Sequence, residues 1–437
     1  MKGHRERPLS RLPKAHLHLH VWQAAVRRST VAEWLEQCDE EWLDAMRSEA
    51  KSKLAELEKA EINQEEERKP GLRKRDIEKY RRRLDAVTPP LSVDKILGAE
   101  VTVTDKVPAA LRGGSGPESE IWDRQFHIKN LMSTAPERMG GTEGLGHRVC
   151  MELAEDAAAE GVRWMELAYK GGFQFENDAP GKISEKSAAE WKAVLSARRD
   201  AITKFPEVGM GFVVHLPKGQ NMLEEATAIL KFFVDSGERM ALAGFGKWGR
   251  EDPGMDKTFA LVLDFLHENG VPIVTLHAGE GYGATGERMA REEYDGALYV
   301  REAMAAGAKR IGHGIEAARS DETMTLLRER DVCLEVCPYS NWLLAMAPWD
   351  TSQPHPLPDL LAKGVPCCLA ADDPTLMGAF NGHGLVREYD AARHIMALTD
   401  DQLAHLARCS IKHCSMPKPD KDRAFEEIDQ WLAADPV

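Results

Sequence analysis

No stretch of the 437-residue chain approaches about 18 uninterrupted apolar residues, so no transmembrane helix is expected. The start, Met1 to Arg11, is charged and lacks an apolar segment behind it, so no secretory signal is visible. Eight cysteines are too few to build a disulfide framework in so long a chain, and none falls in C-x-x-C. Cys367 and Cys368 are adjacent, and Cys333 and Cys337 lie in an apolar stretch. They read as reduced core residues, and a reducing cytoplasm is the plain expectation. Positive charge is in deficit, with 57 Lys and Arg against 71 Asp and Glu, a net charge of −14. An acidic chain repels phosphate backbones, which argues against a nucleic-acid partner but not against a small phosphorylated substrate in a local pocket. Glycine and proline are in no excess, so collagen-like and low-complexity chains are excluded. Four catalytic signatures are missing: H-E-x-x-H, the P-loop, G-x-S-x-G, and the H-x-E…P-C-x-x-C of one class of nucleobase deaminase.

What is present is a chain with 43% apolar residues and short strands between helical patterns. Strands are expected over Ala15–Trp22, Arg163–Tyr169, Gly209–Leu216, Arg239–Phe245, Pro272–Glu280, Arg310–Ile315, Cys333–Pro338 and Pro366–Ala371. Helices are expected over Ser187–Lys204, Met222–Asp235, Met255–Glu268 and Tyr294–Ala306. Such alternation argues for a parallel sheet covered by helices. Eight strands would close a (β/α)8 TIM barrel, a fold of about 250 residues. The excess length lies between Gln23 and Val162, and a charged helical insertion is expected over 23–120 within a single domain spanning 1–437. Pro70-Gly71 breaks it, Ile77, Tyr80 and Leu84 mark one face of a basic helix, Pro89-Pro90 ends that helix, and Arg112 to Pro117 reads as a loop. The insertion reads as a helical hairpin packed on the barrel, or alternatively as a lid or a partner-binding arm.

Polar residues gather at the C-terminal ends of the expected strands, where a barrel collects its catalytic groups. His16, His18 and His20 alternate along the first strand and so share a face. Alone, two such histidines more often mark hydrogen-bonded or surface imidazoles than a metal. The fifth strand ends in His277-Ala278-Gly279-Glu280 and the eighth in Asp372-Asp373-Pro374, which alone reads as a helix N-cap with proline at N1. Together, His18, His20, His277 and Asp372 offer three imidazoles and a carboxylate at one rim, a set that suits zinc with a position left for water. The sixth strand brings His313 between glycines, the seventh Cys337-Pro338-Tyr339-Ser340-Asn341, and the fourth Ala243-Gly244-Phe245.

These blocks strongly resemble the adenosine deaminase family of zinc hydrolases. The resemblance runs in order from Pro13-Lys14 to Pro374, through Leu242-Ala243-Gly244, His277 to Glu280, Arg310 to Gly314, and Cys337 to Asn341. It implies a (β/α)8 barrel, one Zn2+ per chain and a small purine nucleoside as substrate. It implies further that His18, His20, His277 and Asp372 ligate the zinc, and that Glu280 protonates N1 of the purine. His313 would orient, or deprotonate, the zinc-bound water that attacks C6. Asp373 would face N7 and Gly244 would offer its N–H to N3, with His20 also lining the substrate.

The chain departs from the family pattern where Leu-Asp-Gly usually follows the second metal histidine. Here it reads Val21-Trp22-Gln23, so the aspartate that bonds the sugar hydroxyl is replaced by Trp22, which can only donate. Similarly, Glu166-Leu167-Ala168 stands where the family often has Glu-Leu-Arg, and His16 stands where it has glutamate. His16 reads as a core imidazole below the metal, and His215 either lines the pocket or is satisfied at its strand end. The expected reaction is deamination of adenosine or a related adenine nucleoside to its inosine counterpart and ammonia. Alternatives are deamination of an N6-substituted AMP, a 5′-modified adenosine or adenine, a different amidohydrolase reaction, and a catalytically silent nucleoside- or partner-binding barrel.

Overall fold

The computed structural model describes residues 5–22, 24–59, 72–100, 118–134, 141–169, 172–177, 179–215, 221–249, 251, 255–271, 273–281, 295–344 and 355–437. Eight parallel strands form the barrel in the order β1 (Lys14–Val21), β2 (Val162–Tyr169), β5 (Gly209–His215), β6 (Leu242–Lys247), β7 (Ile273–Ala278), β8 (Arg310–His313), β9 (Cys333–Val336) and β10 (Cys367–Leu369). Between β2 and β5 a short antiparallel pair, β3 (Phe175–Glu176) and β4 (Ala179–Ile183), stands outside the barrel. Helices follow the strands around the outside. The architecture is a (β/α)8 TIM barrel.

Strand β1 is buried along its whole length although every second residue is polar. Its apolar residues belong to the hydrophobic core, and Lys14, His16, His18 and His20 are buried as well. Parallel strands covered on both faces are expected to be buried throughout. What is unusual is that one of the two faces is built of imidazoles and an ammonium group. Closure between the last strand and the first runs through Asp372, whose N–H donates to the His18 carbonyl at 3.1 Å and whose carbonyl accepts from the His20 N–H at 2.9 Å. The seam that closes the barrel therefore also fixes three of the residues singled out from the sequence. The helix Asp400–His413 packs over this seam, and Ser410 Oγ there accepts from the Ala15 N–H at 2.9 Å.

The expected strands agree with those observed, with shifts that have simple causes. The segment Arg239–Ala241 forms a 3-10 turn, so the fourth barrel strand starts at Leu242 and runs to Lys247. Gly279 takes φ +72° and ends β7 before Glu280. Pro338 opens a helix, Pro338–Leu343, where its missing N–H costs nothing. The β3–β4 pair has no counterpart in the sequence reading, because two and five residues are too short to show a period.

The helices Glu40–Lys59 and Leu72–Ala86 pack against one another and against Glu118–Thr134. Ile77, Tyr80 and Leu84 are half-buried on the second of these. Its basic residues are partly spent on internal pairs, Arg83 Nε reaching Asp123 Oδ1 at 2.6 Å and Arg82 Nη2 reaching Asp123 Oδ2 at 3.0 Å. Trp34, Trp42, Met46, Ile96 and Leu97 belong to the same apolar core as the barrel. The Pro70-Gly71 break and the Arg112 to Pro117 loop lie outside the described residues. Seven of the eight cysteines are buried, and no disulfide joins any of them. Among the described residues no helix is long and apolar enough to cross a membrane.

Beneath the rim, Arg310 is fully buried between two carboxylates, with Nη1 2.6 Å from Glu166 Oε2 and Nε 2.6 Å from Glu335 Oε1. Removing one partner of a buried pair leaves an uncompensated charge, at a cost of about 3–5 kcal/mol. Arg310→Met should lower the urea unfolding free energy by about that amount, and a loss below about 1 kcal/mol would show that Glu166 and Glu335 do not depend on Arg310 for compensation.

Candidate active site

The alternation of β1 delivers His18 and His20 to one point, with their Nε2 atoms 3.3 Å apart. Asp372 Oδ1 lies 3.4 Å from His18 Nε2 and 3.2 Å from His20 Nε2. His277, from the end of β7, brings its ring to 4.6 Å from that of His18. Ligand atoms of His18, His20 and His277 all lie within 4.8 Å of one another. Gly312 makes room for them, since a Cβ there would sit 2.5 Å from the His277 ring and 3.0 Å from that of His18. Ser340 Oγ donates to Asp372 Oδ2 at 2.6 Å, which steers Oδ1 toward the imidazoles.

The layer below orients the set. Glu335 Oε2 lies 2.9 Å from His18 Nδ1. A proton on Nδ1 leaves the Nε2 lone pair facing the cluster, an arrangement common among metal-binding histidines. Glu335 is itself fixed by Thr275 Oγ1 at 3.0 Å and by Arg310. Burial alone would depress His18, but its hydrogen bonds to Asp372 and Glu335 outweigh it and push the ring up to about 10. Burial raises Asp372, yet His18 and His20 hold it well below the usual carboxylate range. The carboxylates around these rings therefore favour positive charge at this point. A divalent cation satisfies the same demand, and three imidazole nitrogens with one carboxylate oxygen fit zinc or a similar ion. Cys337 also has its sulfur within 4.8 Å of His18 and His313 ligand atoms, and burial with the nearby Asp372 raises its thiol well above the ordinary value.

Glu280 and His313 stand beside the set. The two oxygens of Glu280 lie 3.5 Å from His277 Nδ1 and 3.4 Å from His313 Nε2. Burial, then the negative charges of Asp372 and Glu251, push the Glu280 carboxyl well above its usual range. The loop carrying it is held from below by buried Glu251, which accepts from the N–H groups of Gly279 at 2.8 Å, Glu280 at 2.8 Å and Gly281 at 3.0 Å. His313 and Asp372 are two non-glycine residues in the left-handed region, with φ of 60° and 58°. Such strain, about 1–3 kcal/mol each, concentrates at functional sites.

Asp373 is buried, and it shares a possible ligand group with His20 and Asp372. Trp22 is half-buried and packs edge-on against Tyr169, with ring centroids 5.8 Å apart. Gly244 lies inside β6, paired with Val213 and Ile273, so its backbone polar groups point along the sheet. Just beyond β6, Trp248 lies 5.5 Å from the His20 ring and 5.0 Å from that of His215. His16 stays apart: Nε2 accepts from the Ala371 N–H at 2.9 Å, and Nδ1 meets His383 Nε2 at 3.2 Å. Glu335, Glu251, Trp248 and His355 were not singled out from the sequence. A glutamate inside an apolar strand, Cys-Leu-Glu-Val, was the one available signal among them.

A family model described as adenosine deaminase matches residues 129–431. The chain belongs to the adenosine deaminase family. Members of the adenosine deaminase family are metal-dependent hydrolases that act on C–N bonds, and this chain is one of those enzymes. A Streptomyces virginiae protein provisionally named adenosine/adenine deaminase is 27% identical over 329 residues, covering 75% of this chain and 88% of that protein. The aminodeoxyfutalosine deaminase of Streptomyces coelicolor is 31% identical over 284 residues, covering 65% of this chain and 66% of that protein. In fold, the chain is similar to a Burkholderia ambifaria amidohydrolase crystallised with bound zinc, with a TM-score of 0.59 and 18% identity over 97% of this chain and 93% of that one.

Glu335→Gln keeps the shape of the support beneath His18 but removes its charge. Second-layer changes of this kind lower metal affinity about 10–100-fold. Competition against a chelator should show that loss, whereas unchanged affinity would mean that Glu335 does not orient the ligand.

Proposed function

We propose that the protein catalyses hydrolytic deamination of adenosine or a related adenine nucleoside, giving the inosine counterpart and ammonia. One observation carries the reading: a buried carboxyl, Glu280, stands within 3.5 Å of His277 and His313, beside an imidazole–carboxylate set that fits a divalent ion. His18, His20, His277 and Asp372 would hold that ion, Zn2+ by the chemistry of its donors and by likeness to the zinc-containing fold neighbour. When bound, it lowers the pKa of water toward about 7 and so supplies hydroxide at neutral pH.

The other residues act on the ring. An aminopurine is attacked at C6 only when N1 carries a proton, so Glu280 donates there, and the burial that raises its pKa keeps the proton available. Asp373, the next residue after Asp372, faces N7 and bonds it through a proton of its own. His20 and Trp248 wall the ring. Gly244 retains the part implied by resemblance, with its N–H toward N3, only if a bound ring reaches down to the sheet. The chain from 1 to 437 acts as one domain, with 23–120 a charged helical insertion within it. No nucleic acid takes part, and the chemistry is that of a cytoplasmic purine-converting enzyme.

A second reading concerns the substrate. Trp22 stands where the family has its sugar-binding aspartate, and its ring packs edge-on against Tyr169. No carboxylate from this position reaches a sugar hydroxyl, which favours a modified substrate: free adenine, a 5′-modified adenosine or an N6-substituted AMP.

The test is turnover by absorbance, with adenosine, adenine, AMP, 5′-methylthioadenosine and N6-methyl-AMP presented to the metal-loaded enzyme. At least one should be deaminated, and no turnover of any by metal-loaded protein would favour a silent nucleoside-binding barrel. Glu280→Gln should keep the metal and lose about 10²–10⁴-fold in kcat. Since the acid form of Glu280 is the active one, kcat/KM should fall as pH rises through its raised pKa. A flat profile from about pH 5 to about pH 9 would contradict that assignment.

A further inference from the structure

Beyond the site lies a chain of buried hydrogen bonds that decides which nitrogen of His313 carries its proton. It starts at the Leu357 N–H, which donates to His355 Nδ1 at 3.0 Å. That nitrogen is thus an acceptor. Burial depresses His355 to about 3, so the ring is neutral and its single proton sits on Nε2. Nε2 lies 3.3 Å from Asn341 Oδ1, to which it donates. The amide is thereby fixed: its oxygen is turned to His355 and its NH2 to His313. Asn341 Nδ2 donates to His313 Nδ1 at 3.1 Å. His313 Nδ1 is in turn an acceptor, and the proton of the neutral ring is left on Nε2, the nitrogen 3.4 Å from Glu280 Oε1.

Every member of this relay is buried, so water cannot reassign the protons. The helix Pro338–Leu343 carries two adjacent supports, Ser340 on Asp372 and Asn341 on His313. The direction of the relay comes from one backbone N–H, which cannot act as an acceptor, so the order of donors and acceptors is unique.

We propose that His355 is a positioning residue which, through Asn341, locks His313 as the Nε2–H tautomer, so that His313 presents a hydrogen-bond donor to the reacting centre and not a proton acceptor. This deepens the deaminase reading and rests on it for its kinetic consequence alone. His313 then orients the attacking oxygen and stabilises negative charge developing on it. Accepting a proton at Nε2 is closed to it while the relay stands.

Two conservative variants separate the relay from simple packing. His355→Met keeps much of the volume and removes the donor, whereas His355→Gln keeps an N–H for Asn341. With histidine ring nitrogens labelled, long-range nitrogen–proton correlation spectra report the tautomer of His313, assigned by subtraction with His313→Gln. The wild-type protein should show Nε2–H. His355→Met frees the Asn341 amide to turn and should shift His313 to Nδ1–H or a mixture. It should lower kcat about 10–100-fold with little change in KM, and His355→Gln should restore most of both. An Nδ1–H tautomer in the wild type, an unchanged kcat in His355→Met, or equal loss in both variants with a matching fall in Tm would overturn the proposal. The wild-type spectrum needs no turnover, so failure of the deaminase reading would leave this result readable.

Discussion

A guanidinium with no access to solvent sits at the centre of this barrel. Arg310 lies between Glu166 and Glu335, and one carboxylate charge is left over. That surplus faces upward, where Glu335 Oε2 lies 2.9 Å from His18 Nδ1. The metal set above is therefore the upper end of a charge ledger that begins at the bottom of the sheet. A buried ion pair contributes little net stability by itself. Its value here is orientational, because it fixes the Glu335 carboxylate that points the first ligand.

The rim obeys a second constraint, crowding. Three imidazoles, two carboxylates and the His313 ring converge where eight strands end. Room is made by Gly312, which lacks the Cβ that His277 would strike, and by the left-handed turns at His313 and Asp372. Asp372 also closes the barrel through its backbone. Stability of the seam and geometry of the site are thus one problem, which is why the strain at this residue is tolerated.

The eight barrel strands were legible because short apolar runs alternated with clear helical periods. That these side chains come together was legible because they sit at strand ends, in the order His18, His20, Glu280, His313 and Asp372. The supports were not. Glu251 and His355 act through backbone N–H groups and one amide, contacts that leave no period in a sequence. Trp248 follows directly on the fourth strand, which ends at Lys247, two residues later than its pattern suggests. Gly244, singled out from its motif, lies within the ladder, as the expected strand already had it. Trp22 stood out as a departure, but its partnership with Tyr169 depended on neighbouring strands that no local reading connects.

The central claim is one divalent ion held by His18, His20, His277 and Asp372. X-ray absorption on freshly purified protein loaded with one equivalent of zinc measures it directly. The account predicts a site of nitrogen and oxygen ligands at about 2.0–2.2 Å with imidazole scattering and no sulfur. Failure to retain one ion per chain, or a sulfur shell at about 2.3 Å placing Cys337 on the metal, would contradict it.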